Sequence, residues 1–393
     1  MKHDQRFVWL DLARGCAAVA VCAGHLRAAT LSNMVEVHNP TQFQTLFYFC
    51  TGLGHQAVMV FFILSGFFVG GSILKRKGMQ FRPAEYFIAR LTRLWIVLIP
   101  ALAATLIVDT VVAAYFPEVL HGVNYGIWNS GPHSTGYSIS TQTLLGNVFF
   151  LQTILTPVFG TNSPLWSLAN EFWYYTTFPM LAFAVGQCGN PGRASTRIAA
   201  GVSAVVLLAF LPPILSGYVV WLMGVVAWLI CNRLPCKRRP LALISAFVLF
   251  VCSLVYSKSI SSQMLIGLSV DYAVGMGFSI FCIVIATWPR PGCSHSGIAI
   301  SKLAVASSEF SYSLYLTHFP FVMLIAVFCY GSTKVPPDAG GLLLYFGGLA
   351  ALLVLGSLFW FLFERHTSSM RELATSGFAE RFRHSKEKEC ELQ

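Results

Sequence analysis

Apolar residues in this chain come in long runs, and most of the charge sits in the short stretches between them. A hydrocarbon core about 30 Å thick takes roughly 20 mostly apolar residues per helix. Ten runs meet or approach that length: 7–29, 52–74, 94–115, 165–185, 198–214, 218–231, 241–256, 264–288, 310–330 and 341–363. The sixth is too short to span unless its helix continues at either end. Segment 144–155 carries Asn147 and Gln152, which suits a re-entrant or interfacial segment better than an eleventh span. The pattern predicts an all-α integral membrane protein of about ten transmembrane helices. Residues 1–363 form one membrane domain and 364–393 a charged cytoplasmic tail.

Composition excludes a soluble globular domain. Hydrophobic residues make up 55% of the 393 and charged ones only 11%, where soluble domains run near a quarter charged; the mean hydropathy is +0.65. The formal charge of +10 does not point to nucleic acid, because the Lys and Arg are distributed between apolar runs rather than gathered on helix faces. With ten spans and both termini inside, 22 of the 26 Lys and Arg fall on the inner side. Three (Arg27, Lys258 and Lys334) fall outside, and Arg14 lies in the membrane. That asymmetry sets an N-in, C-in orientation in a plasma or inner membrane. The first run is too long for a secretory core and lacks a cleavage site, so it reads as a retained helix. Eleven Cys without a C-x-x-C pair give no metal framework. Loop 116–163 has no Lys or Arg but holds His121, Trp128, His133 and Tyr137. It suits either sugar stacking or plain translocation. The 386–391 end reads as disordered.

The informative residues are those whose burial is expensive, since a charge at mid-bilayer costs at least about 2.5–3.5 kcal/mol. The first helix carries Asp11, Arg14 and His25. At about 100° per residue they share one stripe with Ala18 and Cys22, and His25 stands about 16 Å further along the axis than Arg14. Two readings fit: a polar track, or an interfacial Asp11–Arg14 pair plus a packing histidine. Arg90 and Arg93, three apart, form a fork suited to phosphate or an inner-face anchor. Glu171 falls about two turns into a helix that Ser163 is placed to cap. Ser311, Tyr315 and His318 share a stripe in the ninth run. Asp109 and Asp271 are further buried-acid candidates.

These residues stand in blocks that resemble the acyltransferase 3 family of transmembrane acyltransferases. The blocks are Leu10-Asp11-Leu-Ala-Arg14-Gly15 with His25 eleven residues after the Arg, Phe61-Phe-Ile-Leu-Ser65-Gly66-Phe, Arg90-Leu-Thr-Arg93, Phe149-Phe-Leu-Gln152, Trp166-Ser-Leu-Ala-Asn-Glu171 and Ser311-Tyr-Ser-Leu-Tyr315-Leu-Thr-His318. They follow the family order. Two departures stand out: Phe172-Trp173 follow the glutamate where the family often has Glu-Gln, and the last helix ends Glu364-Arg365-His366 where many members have Glu-x-Pro.

The resemblance implies acyl transfer, most often of acetyl from acetyl-CoA, to a hydroxyl of a lipopolysaccharide, other polysaccharide or glycosylated small molecule. The expected partners are the lipid bilayer, a cytosolic acyl-CoA and a carbohydrate acceptor near the outer face, with no metal. Arg90, Arg93 and Arg14 would meet the CoA phosphates. Its pantetheine arm, about 15 Å long, matches the rise from Arg14 to His25. His25 is the expected base, its ordinary pKa near 6.5 leaving it neutral at pH 7. Glu171 would orient His25 or the acceptor. Tyr315 or His318 would donate to the thioester oxygen. Asp11, Ser65 and Trp166 are orienting candidates, and Ser65 is also the candidate for an acyl-enzyme. A rival from the residues alone is a proton-coupled secondary transporter or glycan exporter, for which ionisable groups among ten helices also serve.

Overall fold

The computed structural model describes residues 7–79, 81–120, 137–190, 193–260, 264–292, 294–331 and 333–376. His121, Trp128 and His133 of the outer loop, and the 377–393 end of the tail, lie outside the described residues. The architecture is all-α, with no named strand among the described residues. The principal helices are α1 (Val8–Thr30), α2 (Gln42–Thr51), α3 (Gly54–Leu74), α4 (Pro83–Tyr115), α5 (Thr141–Val148) and α6 (Leu165–Ala184), followed by α7 (Ala194–Ala209), α8 (Pro212–Cys231), α9 (Pro240–Ser259), α10 (Met264–Ala286), α11 (His295–Tyr330) and α12 (Ala339–Leu362).

Among the described residues, seven helices are long and apolar enough to cross a membrane: α3, α4, α8, α9, α10, α11 and the Ala339–Ser376 helix containing α12. Three expected spans fall short of that standard, each for a readable reason. Helix α1 is 23 residues long but carries Asp11, Arg14 and Arg27. Helix α6 is rich in Trp, Tyr, Asn and Glu, and α7 has only 16 residues. The segment around 144–155 does not span: α5 ends at Val148, and Phe150 and Thr153 turn the chain back with positive φ. Asn147 makes that turn affordable in an apolar setting by donating to the carbonyls of Thr143 and Pro157 and accepting from the Phe159 N–H.

Several helices begin well before their apolar runs. Helix α4 starts at Pro83, in the first-turn position where a missing N–H costs nothing. Arg90 and Arg93 are therefore two to three turns inside a helix rather than at its opening. Helix α11 starts at Ser294, whose hydroxyl accepts from the Gly297 N–H at 3.2 Å. It runs through Pro320 and stops at Gly331, which closes it in the left-handed conformation at φ 58°. The short sixth run extends backward to Pro212. Ser163 does not cap α6; it lies one residue outside Pro164, which makes no side-chain cap.

Helix α1 sits at the centre, packed on α11, α3 and α12. Its C-terminal end is tied down by strand-like bonds on either side of Leu31: Ser32 N–H to Val335 O at 2.9 Å and Val335 N–H to Thr30 O at 3.0 Å. Helix α3 widens into a π-turn at Gly66–Gly70, immediately after Ser65. Gly66 lies so close to the Trp221 carbonyl of α8 that no Cβ fits between them. The outward faces are apolar, as with Ile107 of α4, Ile244 of α9 and Val354 of α12, while Asp11, Gln56, Ser65, Ser311 and His318 are buried. A polar interior inside an apolar shell is what a hydrocarbon solvent selects. The protein is a multi-pass membrane protein.

Candidate functional site

Two cavities of about 240 and 220 Å³ flank α1. The first, on the side the charge pattern predicts to be inner, is lined by Asp11, Arg14, Ser65, Arg90, Arg93, Glu171, Tyr175, Ser311, Tyr312 and Tyr315. The second, on the side predicted to be outer, is lined by His25, Arg27, Thr51, His55, Ser163, Trp166 and Tyr315. Val58 and Tyr315 belong to both, and form the septum between them.

Three arginines come into the inner cavity from two helices. Two of them, Arg14 and Arg90, are held through their apolar faces, which leaves hydrogen-bonding edges to a ligand. Arg14 lies 5.0 Å over the Phe68 ring. Arg90 lies between Tyr86 and Tyr175, at 5.6 and 5.9 Å, and its buried Nε has no partner. Such contacts are worth roughly 0.5–2 kcal/mol, too little to offset a buried unpaired charge. The carboxylates close by are Asp11, Glu171 and Glu364. Glu171 accepts a short hydrogen bond from the Tyr175 hydroxyl one helical turn on. Tyr175 also meets Ser65 Oγ at 3.0 Å, and Ser65 accepts from Trp221 Nε1 at 3.1 Å. Glu364 accepts from Ser313, at 2.6 Å from Oγ and 3.1 Å from the backbone N–H. Asp11 accepts from Ser308 Oγ at 3.1 Å.

His25 has a different neighbour from the one the sequence suggested. Glu171 lines the inner cavity, not the outer one, and the group bonded to His25 is His318. The two rings lie parallel within 7°, with His25 Nδ1 and His318 Nε2 at 2.8 Å. Their proton positions follow from the partners. His318 Nδ1 faces only carbonyl oxygens, of Leu314 at 3.0 Å and Tyr315 at 2.9 Å. Carbonyls only accept, so Nδ1 carries the hydrogen and Nε2 presents a lone pair. His25 Nδ1 must then be the donor, and His25 Nε2 is left as the free acceptor. This pair leaves His318 without a hydrogen to offer a thioester oxygen. The stripe expected on α11 thus divides: Ser311 and Tyr315 face the inner cavity, and His318 braces His25.

Tyr315 bonds Ser167 Oγ at 2.7 Å, and Ser167 bonds the Pro164 carbonyl at 3.2 Å. Trp166 lines the outer cavity and meets Phe62 edge-on. Of the acids without an assigned task, Asp109 is fully engaged by Thr161, at 2.8 Å from its N–H and 2.6 Å from its hydroxyl, and it holds the chain entering α6. Asp271 pairs with His55 at 2.8 Å.

The model of the acyltransferase domain matches residues 7–365, nearly the whole chain. The chain belongs to the acyltransferase 3 family. No curated protein and no solved structure matches it. The family match covers both cavities and every residue that lines them, so the acyltransferase 3 chemistry has to be sought here. Sequence reasoning gives no role to Tyr175, Tyr312, Ser167 or Glu364, the last three standing only inside or at the end of motifs. The first was within reach, four residues after Glu171 and therefore on the same face; the others meet the site only through packing between helices.

Proposed function

We propose that the protein transfers an acyl group, acetyl in the simplest case, from cytosolic acyl-CoA to a hydroxyl of a glycan or glycosylated acceptor at the outer face of a plasma membrane. The observation that carries this reading is the pair of cavities along α1, arginine-lined on one side and imidazole-lined on the other, meeting at Val58 and Tyr315. In this reading ten helices cross the bilayer with both termini inside, α1 and α6 being tolerated because their polar faces turn inward, and α7 being a short span.

The nucleotide and pantetheine phosphates would bind Arg14, Arg90 and Arg93, which offer charge-assisted bonds to phosphate. Those bonds also remove the cost of three cations in one cavity. The acceptor enters from the other side. His25 Nε2 takes the proton as the hydroxyl oxygen bonds the thioester carbonyl carbon, and His25 Nδ1–H stays on His318. The Tyr315 hydroxyl, released from Ser167, donates to the carbonyl oxygen as it becomes an oxyanion. Collapse breaks the carbon–sulfur bond, and the CoA thiolate receives the proton from His25. Direct transfer is favoured over an acyl-Ser65 intermediate because Ser65 already bonds Tyr175 and Trp221 and has no imidazole beside it.

The test is CoA release by the purified protein in lipid nanodiscs, followed with a thiol reagent, with and without glycoside acceptors, and the acylated product weighed by mass spectrometry. Acceptor-dependent CoA release with one acyl unit gained is the expected result. Absence of any thioester turnover, together with solute movement in vesicles, would overturn the proposal in favour of a transporter; the family match favours transfer.

A further inference from the structure

The outer face of this protein is almost free of cations, yet the few it has converge. Arg27 lines the outer cavity two residues beyond His25, about 3 Å further along α1. Its guanidinium stacks on Tyr48 at 5.0 Å, its buried Nε has no hydrogen-bond partner, and among the described residues no carboxylate pairs with it. Lys258, at the end of α9, reaches the same wall: its ammonium lies 3.4 Å from where a Cβ on Gly52 would stand, and Gly52 lines the cavity. Lys334 bonds Asn33 Oδ1 at 3.2 Å. Lys258 and Lys334 are both within electrostatic reach of Arg27. These are the only three Lys or Arg that the charge pattern of the sequence assigns to this side.

The neighbouring acids are committed elsewhere. Asp271 is paired with His55, and Glu36 closes the turn at Asn33 through two hydrogen bonds, at 2.7 and 3.1 Å. Glu36 offsets part of the charge of Lys334, but no carboxylate among the described residues pairs with Arg27 or Lys258, and like charges so placed repel one another. The arrangement makes sense if something that binds there is negative.

We propose that the outer cavity selects an acceptor bearing a carboxylate or phosphate close to the hydroxyl that is acylated, and that Arg27 receives this anion. The inference rests on the acyl-transfer reading, since it names the class of acceptor for that site. Arg27 is a recognition residue here: it fixes the sugar while His25 handles the proton. A guanidinium offers two parallel N–H donors to a carboxylate or phosphate, a geometry an ammonium lacks.

Equilibrium binding tests this independently of turnover. The full chain is held in octaethylene glycol dodecyl ether micelles, which contain neither sugar nor phosphate, and titrated with octyl β-D-glucuronide and octyl β-D-glucoside. The glucuronide should bind at least about tenfold more tightly, the worth of one charge-assisted bond. Inorganic phosphate should displace it. Arg27→Gln should bring the two ligands to near equality, Arg27→Lys should keep part of the preference, and Lys258→Gln should reduce it less. Equal binding of both glycosides by the wild-type protein, or an undiminished preference in a folded Arg27→Gln, overturns the proposal. If the glucuronide has no advantage but phosphatidylglycerol added to the micelles binds in an Arg27-dependent way, the cations serve a lipid headgroup and the proposal also falls. CoA release measured alongside separates the two readings. Transfer to both glycosides with equal KM fails the acceptor inference alone. An Arg27-dependent preference without any thioester turnover fails the acyl-transfer reading alone.

Discussion

The inner and outer cavities are nearly equal in size but differ in what they hold at their centres. The inner one gathers three arginines and two acids, Asp11 and Glu171, and stacks Arg14 and Arg90 on aromatic rings. The outer one centres on a neutral imidazole pair whose hydrogens are fixed by backbone carbonyls. A multiply charged nucleotide needs charge to leave water. A hydroxyl that must lose a proton needs a lone pair held in place. One helix supplies both, because Arg14 and His25 share a face three turns apart.

If this division of labour is right, the largest single loss comes from the lone pair. His25→Ala should lower acceptor-dependent CoA release by about 10²–10⁴-fold, the range of a general base, while the KM for acetyl-CoA stays where it was. Wild-type turnover in a His25→Ala protein that elutes as a folded species would remove the imidazole from the chemistry. His318 should come next. His318→Phe preserves bulk but deprives His25 Nδ1 of its acceptor, and kcat should fall about 10–10²-fold, as when partners that orient a working histidine are lost. His318→Gln, with a side-chain oxygen able to accept, should recover part of that loss. A purely structural His318 would give the same kcat for both variants.

The sequence made the apolar spans legible, but not the helices as wholes. Runs that seemed to begin at Leu94 and Phe310 belong to helices that begin at Pro83 and His295, because the inner turns are amphipathic and hydropathy registers only the part facing lipid. The stripe of Asp11, Arg14 and His25 could be read from helical spacing, and so could the Arg90–Arg93 fork. What spacing could not deliver was which partner crosses from another helix. His25 and His318 are 293 residues apart, and Glu171 was equally plausible beside His25 until the helices were packed. Glu364 drew notice only as the end of an unusual motif, yet it is buried against Ser313.

The inner cavity is tested by binding rather than by rate. Arg93→Gln removes one charged donor, which is worth about 1.5–3 kcal/mol when paired, so the KM for acetyl-CoA should rise at least about tenfold with kcat at saturation little changed. S-acetylpantetheine, a thioester donor that lacks the CoA phosphates, sharpens the point. For a donor without 3′-phosphate and pyrophosphate, Arg93→Gln should cost almost nothing, whereas an equal penalty for both donors would mean that Arg93 shapes the cavity instead of binding the nucleotide.

The smallest expected effect concerns the septum, where the two cavities meet. Val58 is buried and touches both spaces, so its side chain limits what passes between them if the acyl group travels that way. Val58→Ala removes two methyl-sized obstacles and should raise the kcat/KM of butyryl-CoA relative to acetyl-CoA a few-fold, since one methylene in an apolar pocket discriminates by about 1–3 kcal/mol. Val58→Ile should shift the ratio the other way. Because each variant is judged by a ratio between two donors, loss of folded protein cancels. A ratio that ignores residue 58 in both directions would mean that the thioester reaches His25 by another route, and that the common wall of Val58 and Tyr315 is a barrier rather than a passage.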